Sequence, residues 1–413
     1  METLKNRLEA LLDSLGKRTQ TDMRYVAHAG GWFGVGKAGE FLVSFALLAA
    51  LANWLPAEQY GAYQYILSFA QVLIIFTLPG VSTALVRSVA RGKEGALAHA
   101  YRVKLKYGFL GSLALFAVAV WYLLHANYPL GISFAVAGVF FSIQNAASTF
   151  GNYWIGKKRF DMSARYYFTS TLLSALVIIP TVYFTQNVVY LVSAVFASNA
   201  LFDFILYKRT LHQVTNSDTD PDLVRYGTNL SVMSAIQRIA QRIDTVLLWH
   251  FLGPVQVAVY SFGILPIEKL ISAVPIGQLA LPKLSERSVV DRKHSILRKF
   301  WILVIAFVPI TALAALVAPP LYQLVFPRYV ESIIYVQVFS VLLLFVPFTL
   351  LESGLTADMR TRQLYVINTI SPIIKIVLLL ILIPVWGIWG AVVAVFSEQV
   401  VSRALTFYYF LRM

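Results

Sequence analysis

Long apolar stretches separated by short polar segments dominate this 413-residue sequence. Hydrophobic residues make up 58% of the chain and charged residues only 13%, a balance that a water-soluble core does not accommodate. A single helix crosses the hydrocarbon core of a bilayer in about 20 residues, with its backbone hydrogen bonds satisfied internally. The sequence therefore predicts an all-α integral membrane protein with about twelve transmembrane helices.

The apolar stretches also predict how the chain is divided. The predicted spans are 26–54, 62–86, 107–125, 128–155, 166–185, 188–208, 226–252, 256–281, 300–318, 330–351, 364–384 and 386–410. We expect an N-terminal lobe at 26–208, a cytoplasmic linker at 209–225 and a C-terminal lobe at 226–413. Each lobe would hold an even number of spans, so a pseudo-two-fold axis along the membrane normal would relate the two six-helix lobes.

A weak internal repeat supports this division and the cleft that it implies. Leu55, Gln59 and Tyr63 recur, at the same spacing, as Leu252, Gln256 and Tyr260. Both sets lie at the turn before a span and at the start of that span. We therefore expect a central cleft between two lobes of equal orientation.

Residues 1–25 precede the first span and require a separate interpretation. They carry scattered charges of both signs and no apolar core ahead of a cleavage site, so they do not form a signal peptide. Leu4, Leu8 and Leu11 share one helical face. Either an amphipathic helix on the cytoplasmic membrane surface or a helix packed on the protein's own loops fits this pattern.

The distribution of positive charge predicts the orientation of the chain. The net charge is +14, and most Lys and Arg residues fall in segments that alternate with loops almost free of them, where Arg328 stands alone. The positive-inside rule places the basic segments and both termini in the cytoplasm. The basic surplus is interpreted as a topology signal and an attraction to membrane lipids, not as a nucleic-acid-binding surface.

Ionisable residues also occur within the predicted spans. The basic ones are Lys37, Arg238, Arg242, Lys269, Lys375 and Arg403, and the acidic ones are Glu40, Asp203, Asp244, Glu268 and Glu398. An ionised side chain at a helix centre costs roughly 2.5–3.5 kcal/mol on insertion scales, so these residues are expected to face the interior of the bundle.

Spacing concentrates these charges on the seventh predicted span. Arg238 and Arg242 are one turn apart on a single face. An adjacent stripe carries Gln237, Gln241 and Asp244. Interhelical salt bridges that hold the bundle together are one interpretation, and a hydrated cavity is the other. Two guanidiniums outnumber the single carboxylate of this ridge, which favours the cavity.

Two segments resemble a known transporter family. Residues 45–92, FALLAALANWLPAEQYGAYQYILSFAQVLIIFTLPGVSTALVRSVARG, look like the first hairpin of the polysaccharide transporter family, whose members include O-antigen and lipid-linked oligosaccharide flippases. Residues 242–263, RIDTVLLWHFLGPVQVAVYSFG, resemble its seventh helix. The family belongs to the multidrug/oligosaccharidyl-lipid/polysaccharide exporter superfamily. The resemblance implies a bacterial inner-membrane protein whose two lobes give alternating access to a cationic cavity.

The cargo implied by the resemblance is an undecaprenyl-pyrophosphate-linked oligosaccharide, moved from the cytoplasmic to the outer leaflet. Arg and Lys suit phosphate oxygens, and glutamine amides suit sugar hydroxyls. The predicted substrate-binding residues are Lys37, Arg238, Arg242, Lys269, Gln237, Gln241 and Gln71. The carboxylates Glu40, Asp244 and Glu268 are predicted either to couple a proton or sodium gradient or to form salt bridges.

The sequence lacks the features of an enzyme or a cofactor-binding protein. It contains no cysteine, and its six histidines are dispersed. The segment GWFGVGKA at 31–38 resembles a phosphate-binding loop but has Ala38 where a Ser or Thr hydroxyl would bind magnesium. We therefore expect no cofactor and no metal.

Other functions are alternatives to the flippase. A multidrug antiporter of the same superfamily is the alternative transporter, but it would favour an acidic cavity for cationic drugs. A glycosyltransferase or polymerase would need a catalytic loop longer than any predicted here. A scaffold would not require so many buried charges. The expected partners are the lipid-linked oligosaccharide, membrane lipids and a polysaccharide polymerase complex, and the protein is expected to be a monomer.

Overall fold

Helices account for nearly all of the secondary structure of this protein. The computed structural model describes the backbone of residues 23–272, 289–358 and 360–412, and the side chains of 38–272, 293, 296–358 and 360–412. The described residues contain no strand. Among them, ten helices are long and apolar enough to cross a membrane, and two shorter ones, Ala38–Trp54 and Ile243–Leu252, are also apolar. The chain is therefore a multi-pass all-α membrane protein, and the count of twelve spans stays a prediction.

The N-terminal half of the structure runs from residue 23 to residue 211. Its helices are α1 (Met23–Trp54), α2 (Ala57–Leu73), α3 (Gly80–Ala90), α4 (Ala96–Leu124), α5 (Tyr128–Ala147), α6 (Thr149–Gly156), α7 (Phe160–Thr185) and α8 (Val188–Leu211). The predicted span 62–86 is interrupted, because Pro79 disfavours helical geometry at the preceding Leu78, whose φ is +50°. The predicted segment 1–22 lies outside the described residues.

The C-terminal half runs from residue 223 to residue 412. Its helices are α9 (Leu223–Met233), α10 (Ala235–Ala240), α11 (Ile243–Leu252), α12 (Pro254–Ser272), α13 (Val289–Val325), α14 (Ile333–Ser340), α15 (Phe348–Ala357), α16 (Thr361–Trp386) and α17 (Ile388–Leu411). The seventh predicted span, 226–252, is therefore three short helices. The end of the predicted span 256–281 lies outside the described residues.

Each half packs mainly on itself, and helices α2 and α3 make the main contacts between the halves. Helix α2 packs against α12 and α11, and α3 packs against α9. Helices α2 and α12 begin at Ala57 and Pro254, which are separated by the same offset as the repeated residues Tyr63 and Tyr260. The fold thus shows the internal correspondence that the sequence repeat predicted. The exact lobe boundaries stay predictions.

The two halves are in tight contact at the end of the bundle that contains Gly61. This end lies opposite the one that carries the linker, and we call it the opposite end. A Cβ atom on Gly61 would lie 1.9 Å from the carbonyl oxygen of Pro254. Next to this contact, the rings of Tyr60 and Phe262 are 4.6 Å apart, and those of Phe262 and Tyr329 are 3.8 Å apart. Buried aromatic pairs of this kind stabilise a contact beyond the area that they bury. The opposite end is therefore closed by apolar packing.

Substitution of Gly61 tests this closure. In Gly61→Ala, the added methyl group collides with backbone, which cannot rotate away, so the halves are expected to separate at the opposite end. Spin labels on cysteines introduced at the exposed positions Glu58 and Val255 should report a longer distance by electron spin resonance. The control Gly138→Ala adds a methyl group against a ring within the N-terminal half and should leave the distance unchanged. An unchanged distance in Gly61→Ala would contradict the assigned contact.

The linker between the halves is held at the other end of the bundle, which we call the basic end. It connects α8 to α9 and packs on Glu94, which is 4% exposed. The Glu94 carboxylate accepts hydrogen bonds from Lys157 Nζ at 2.5 Å and from the backbone N–H of Thr215 at 2.9 Å. The Tyr153 hydroxyl donates to it at 2.7 Å. One buried carboxylate thus ties the linker to the N-terminal half.

A second carboxylate reinforces this attachment. Asp220 of the linker accepts a hydrogen bond from Ser88 Oγ at 2.8 Å and pairs with Lys93 at 3.3 Å. The hydrogen bond from Ser88 is the main reason why the pKa of Asp220 lies below its usual value. The linker is therefore attached to α3 and to the loop that follows α3.

The Glu94 contacts predict a pH dependence of stability. Burial alone raises the pKa of Glu94, but the hydrogen bonds from Lys157, Thr215 and Tyr153 outweigh it and hold the pKa at about 2. Because the pKa is lower in the folded than in the unfolded state, this stabilisation is complete above about pH 4.5 and is lost as the pH falls towards 2.

Thermal unfolding in detergent between pH 5 and pH 3 measures this effect. The unfolding temperature of the wild type should fall with pH, and Glu94→Gln should unfold at a lower temperature at pH 5 and depend less on pH. Glu58→Gln changes an exposed carboxylate and is the control. Equal pH slopes for the wild type and Glu94→Gln would show that Glu94 does not carry the effect.

The structure corrects one boundary that matters for the site. The third span was predicted at 107–125, with Arg102, Lys104 and Lys106 in a cytoplasmic loop, but α4 begins at Ala96. The chain contains no proline between Gly95 and the end of α4, so the helix extends on the N-terminal side of the apolar stretch. Lys104 is therefore a helical residue, and it is buried.

Candidate functional site

Two cavities in the described residues are compared as candidate sites. The larger, about 720 Å³, lies at the basic end between the linker and the beginning of α4. The smaller, about 340 Å³, lies between the halves and is lined by α1, α2, α12 and α13 together with Arg242. Only the second borders both halves and contains predicted site residues. We therefore take this inter-half cavity as the candidate functional site.

Arg242 is the centre of the polar part of this cavity. Its Nε donates to Gln71 Oε1 at 2.7 Å, and its Nη2 lies 3.0 Å from Glu268 Oε2. The side chains of Arg242 and Glu268 are 27% and 35% exposed, so the pair is accessible from the cavity. The structure thus brings together three predicted residues from different helices. Lys269 lines the same cavity.

A broken helix positions Arg242. The chain leaves helical geometry at Ser234 and again at Arg242, where φ is −135°. Ser234 Oγ bonds back to the carbonyl oxygen of Leu230, a contact that bends helices. Non-helical backbone at membrane depth is tolerated where it is buried in protein or lines a cavity. This break gives Arg242 access to Gln71 and Glu268.

The break also changes the ridge that the sequence pattern predicted. Arg238 lies in α10, and its Nε donates to Ser234 Oγ at 3.3 Å, whereas Arg242 points to the cavity. Gln237 is half-buried and Gln241 is exposed, and neither side chain makes a hydrogen bond within the described residues. The continuous stripe expected from helical spacing is therefore interrupted after Gln241. Contact of Gln237 and Gln241 with sugar hydroxyls stays a prediction.

Asp244 lies in the dry interior of the C-terminal half. Its carboxylate accepts hydrogen bonds from the Tyr260 hydroxyl at 2.8 Å and from Lys375 Nζ at 3.2 Å. The Asp244 and Lys375 side chains are 4% and 6% exposed. Glu398 is close enough to interact electrostatically with Lys375. Asp244 and Lys375 thus form a buried salt bridge inside one half, and Arg242 of the cavity lies within electrostatic range of Asp244.

The remaining charges at membrane depth are distributed over both halves. Arg403 pairs with Glu352 at 2.6 Å, so the chain supplies a carboxylate that the sequence pattern did not identify. Glu40 lies within electrostatic range of the Tyr167 hydroxyl, as does Asp203. The side chain of Lys37 lies outside the described residues, and its predicted roles stay predictions.

Lys104 is the cation that the sequence prediction missed. It is 5% exposed and donates to Ser82 Oγ at 3.1 Å. The charge of Arg238 acts on it across the junction between the halves. Its position in the sequence, close to the basic loop before α4, gave no sign of burial.

The buried salt bridge in the C-terminal half can be tested by a double-mutant cycle. Lys375→Met leaves the Asp244 carboxylate buried without its cation, so it should lower the free energy of unfolding by about 3–5 kcal/mol. Adding Asp244→Asn should restore most of that loss, because the Asp244 carboxylate is then no longer buried without its cation. Lys208→Met, at an exposed position, is the control. Additive effects of the two substitutions would contradict the pairing.

The architecture is that of a multi-pass membrane protein with a cavity between its two halves. The sequence profile of the family described as "Polysaccharide biosynthesis protein" matches residues 27–286, more than half of the chain. The chain belongs to this family. No curated protein sequence matches this chain.

Solved structures of MOP superfamily transporters share this fold. An outward-facing multidrug resistance MATE family transporter is 15% identical, with a TM-score of 0.61, and the alignment covers 93% of this chain and 94% of that one. An inward-facing MATE family transporter is 14% identical, with a TM-score of 0.59 and coverage of 92% and 93%. A Pyrococcus furiosus transporter, described as having a binding pocket of reverse polarity, is 16% identical, with a TM-score of 0.64 and coverage of 93% and 94%. These similarities concern the fold alone.

Proposed function

We propose that this protein is a flippase that translocates an undecaprenyl-pyrophosphate-linked oligosaccharide from the cytoplasmic to the outer leaflet by alternating access. Membership of a polysaccharide biosynthesis family supports a glycan cargo. The observation that carries the proposal is the chemistry of the inter-half cavity, where Arg242 and Lys269 are accompanied by one carboxylate, Glu268, and by the amide of Gln71. Such a cavity has a positive balance and donors for both phosphate and sugar.

Physical chemistry connects this cavity to the cargo. A diphosphate cannot cross hydrocarbon alone, because an unpaired charge in a low-dielectric medium costs tens of kcal/mol by Born arguments. A guanidinium donates two parallel hydrogen bonds to phosphate oxygens, and an ammonium contributes a point charge. The undecaprenyl tail would remain in the bilayer while the sugars pass between the halves. Because the opposite end is closed, transport requires the halves to separate there.

A multidrug antiporter of the same superfamily is the competing function. The fold does not separate the two, because MATE transporters share it. The polarity of the cavity is the discriminating property. A cationic drug would be repelled by Arg242 and Lys269, whereas a diphosphate would be attracted. We therefore favour the anionic cargo.

The energy source is a further part of the proposal. Of the three predicted coupling carboxylates, Asp244 is paired with Lys375 and Glu268 with Arg242. Glu40 lies in the N-terminal half, where it and Asp203 are both close enough to Tyr167 to affect it electrostatically. We propose that coupling to a proton or sodium gradient involves one or more of Glu40, Asp244 and Glu268, and we retain the polysaccharide polymerase as a proposed partner.

Substitutions at the Arg242–Glu268 pair test the proposed function. Glu268 competes with phosphate for the guanidinium, so Glu268→Gln should tighten binding of the diphosphate lipid by about tenfold, and Arg242→Gln should weaken it to a similar extent. Translocation of a fluorescent lipid-linked oligosaccharide in proteoliposomes should be lost in Arg242→Gln and in Arg238→Ala. Arg412→Ala, at the end of α17, is the control.

Two results would contradict this proposal. If Glu268→Gln weakened binding as much as Arg242→Gln, the pair would be holding the bundle together and not binding cargo. If the wild type transported a cationic dye and not the lipid-linked oligosaccharide, the protein would be a multidrug antiporter.

A further inference from the structure

Lys104 carries a buried charge whose hydrogen-bonding capacity is only partly filled by the residues that the structure describes. It lies in the third turn of α4, and its ammonium donates one hydrogen bond, to Ser82 Oγ on α3. A lysine ammonium has three donors. A buried charge is costly unless a counter-charge or several hydrogen bonds compensate for it.

Arg238 approaches the same region from the C-terminal half. Its guanidinium has five donors, of which Nε bonds to Ser234 Oγ. The helices that carry the two serines meet here, since the backbone N–H of Gly80 donates to Ser231 Oγ at 2.9 Å. The charge of Arg238 acts on Lys104. Two cations from different halves are thus placed next to a contact between α3 and α9.

Lys104 and Arg238 differ from three other cations at membrane depth, each of which has a carboxylate partner. Arg242 bonds to Glu268, Lys375 bonds to Asp244, and Arg403 bonds to Glu352. Within residues 38–272, 296–358 and 360–412, neither Lys104 nor Arg238 bonds to a carboxylate. Like charges in a buried region repel each other strongly, because solvent screening is weak there. Within the described residues, Lys104 and Arg238 therefore lack the carboxylate partner that the other three cations have.

We propose that Lys104 and Arg238, with the hydroxyl groups of Ser82 and Ser234, form an anion-binding site that takes a phosphate group. In the chain, Arg238 precedes Arg242 of the inter-half cavity by four residues, and Lys104 lies near the beginning of α4, at the basic end. It rests on the proposed function, in which it is a further contact for the diphosphate of the lipid-linked sugar, in addition to Arg242. Inorganic pyrophosphate has the same chemistry and is the second source to be separated by experiment.

The position of the site gives anion binding a structural consequence. Lys104 belongs to the N-terminal half and Arg238 to the C-terminal half, so their repulsion opposes the contact between the halves when the site is empty. A phosphate group between them replaces that repulsion with two attractions. Anion binding therefore stabilises the inter-half contact at the basic end and raises the unfolding temperature of the protein.

The full-length protein in detergent, titrated with undecaprenyl pyrophosphate, inorganic pyrophosphate and undecaprenol, tests the site. The wild type should bind undecaprenyl pyrophosphate at least about tenfold more tightly than undecaprenol. Lys104→Met and Arg238→Gln should each remove most of this difference, and Lys104→Arg should retain it. Lys106→Met, an exposed position two residues along α4, is the control.

A thermal measurement without ligand separates binding from a structural role. Lys104→Met removes an uncompensated buried charge and should raise the unfolding temperature, whereas a lysine needed for its bond to Ser82 would lower it when replaced. Much tighter binding of undecaprenyl pyrophosphate than of inorganic pyrophosphate identifies the lipid headgroup as the anion. Equal affinities identify a soluble diphosphate.

Failure of this inference and failure of the proposed function give different results. If Lys104→Met bound undecaprenyl pyrophosphate as the wild type does, or if undecaprenol bound equally well, the site would be refuted while translocation by the wild type still supported a flippase. If binding depended on Lys104 but the wild type did not translocate the lipid-linked oligosaccharide, the anion site would stand and the flippase would not.

Discussion

The architecture of this protein depends on how charged side chains buried within the bilayer are compensated. An isolated ion at membrane depth is costly, so each one must find an opposite charge, hydrogen-bonding groups or water. Lys375 meets Asp244 where both side chains are nearly inaccessible, and that pair holds the C-terminal half together. Arg242 meets Glu268 where both are partly exposed to a cavity. The same type of ion pair therefore has different consequences, and burial decides which pair can reach a cargo.

Hydropathy alone predicted the class of fold, because the same hydrogen-bonding requirement applies to every membrane span. Backbone groups in hydrocarbon must be satisfied within the helix, so an apolar stretch of sufficient length becomes a helix. Helix ends and breaks follow other rules. Helix α4 begins at Ala96, well before its apolar stretch, since no proline interrupts its backbone hydrogen bonding there. The break at Leu78 comes from Pro79, and the break at Ser234 accompanies a hydrogen bond from its own side chain.

The candidate site shows what helical periodicity can and cannot determine. The sequence pattern correctly identified Arg242, Gln71 and Glu268 as charged or polar residues of spans, but their mutual contact depends on folding together segments that are far apart in the chain. Asp244 was placed on a stripe with Gln237 and Gln241. The helix restarts after Arg242, which changes the direction of the following residues, so Asp244 turns towards Lys375 instead.

The two ends of the bundle are held by different kinds of interaction, and this difference bears on alternating access. The opposite end is closed by aromatic packing around Phe262 and by the close approach of Gly61 to Pro254, neither of which involves charge. At the basic end, Lys104 and Arg238 stand next to the contact between α3 and α9. A ligand shifts a conformational equilibrium only by its differential affinity for the two states. An anionic cargo acts directly on the charged contact and not on the apolar one, so the basic end is where its binding would alter the balance between conformations.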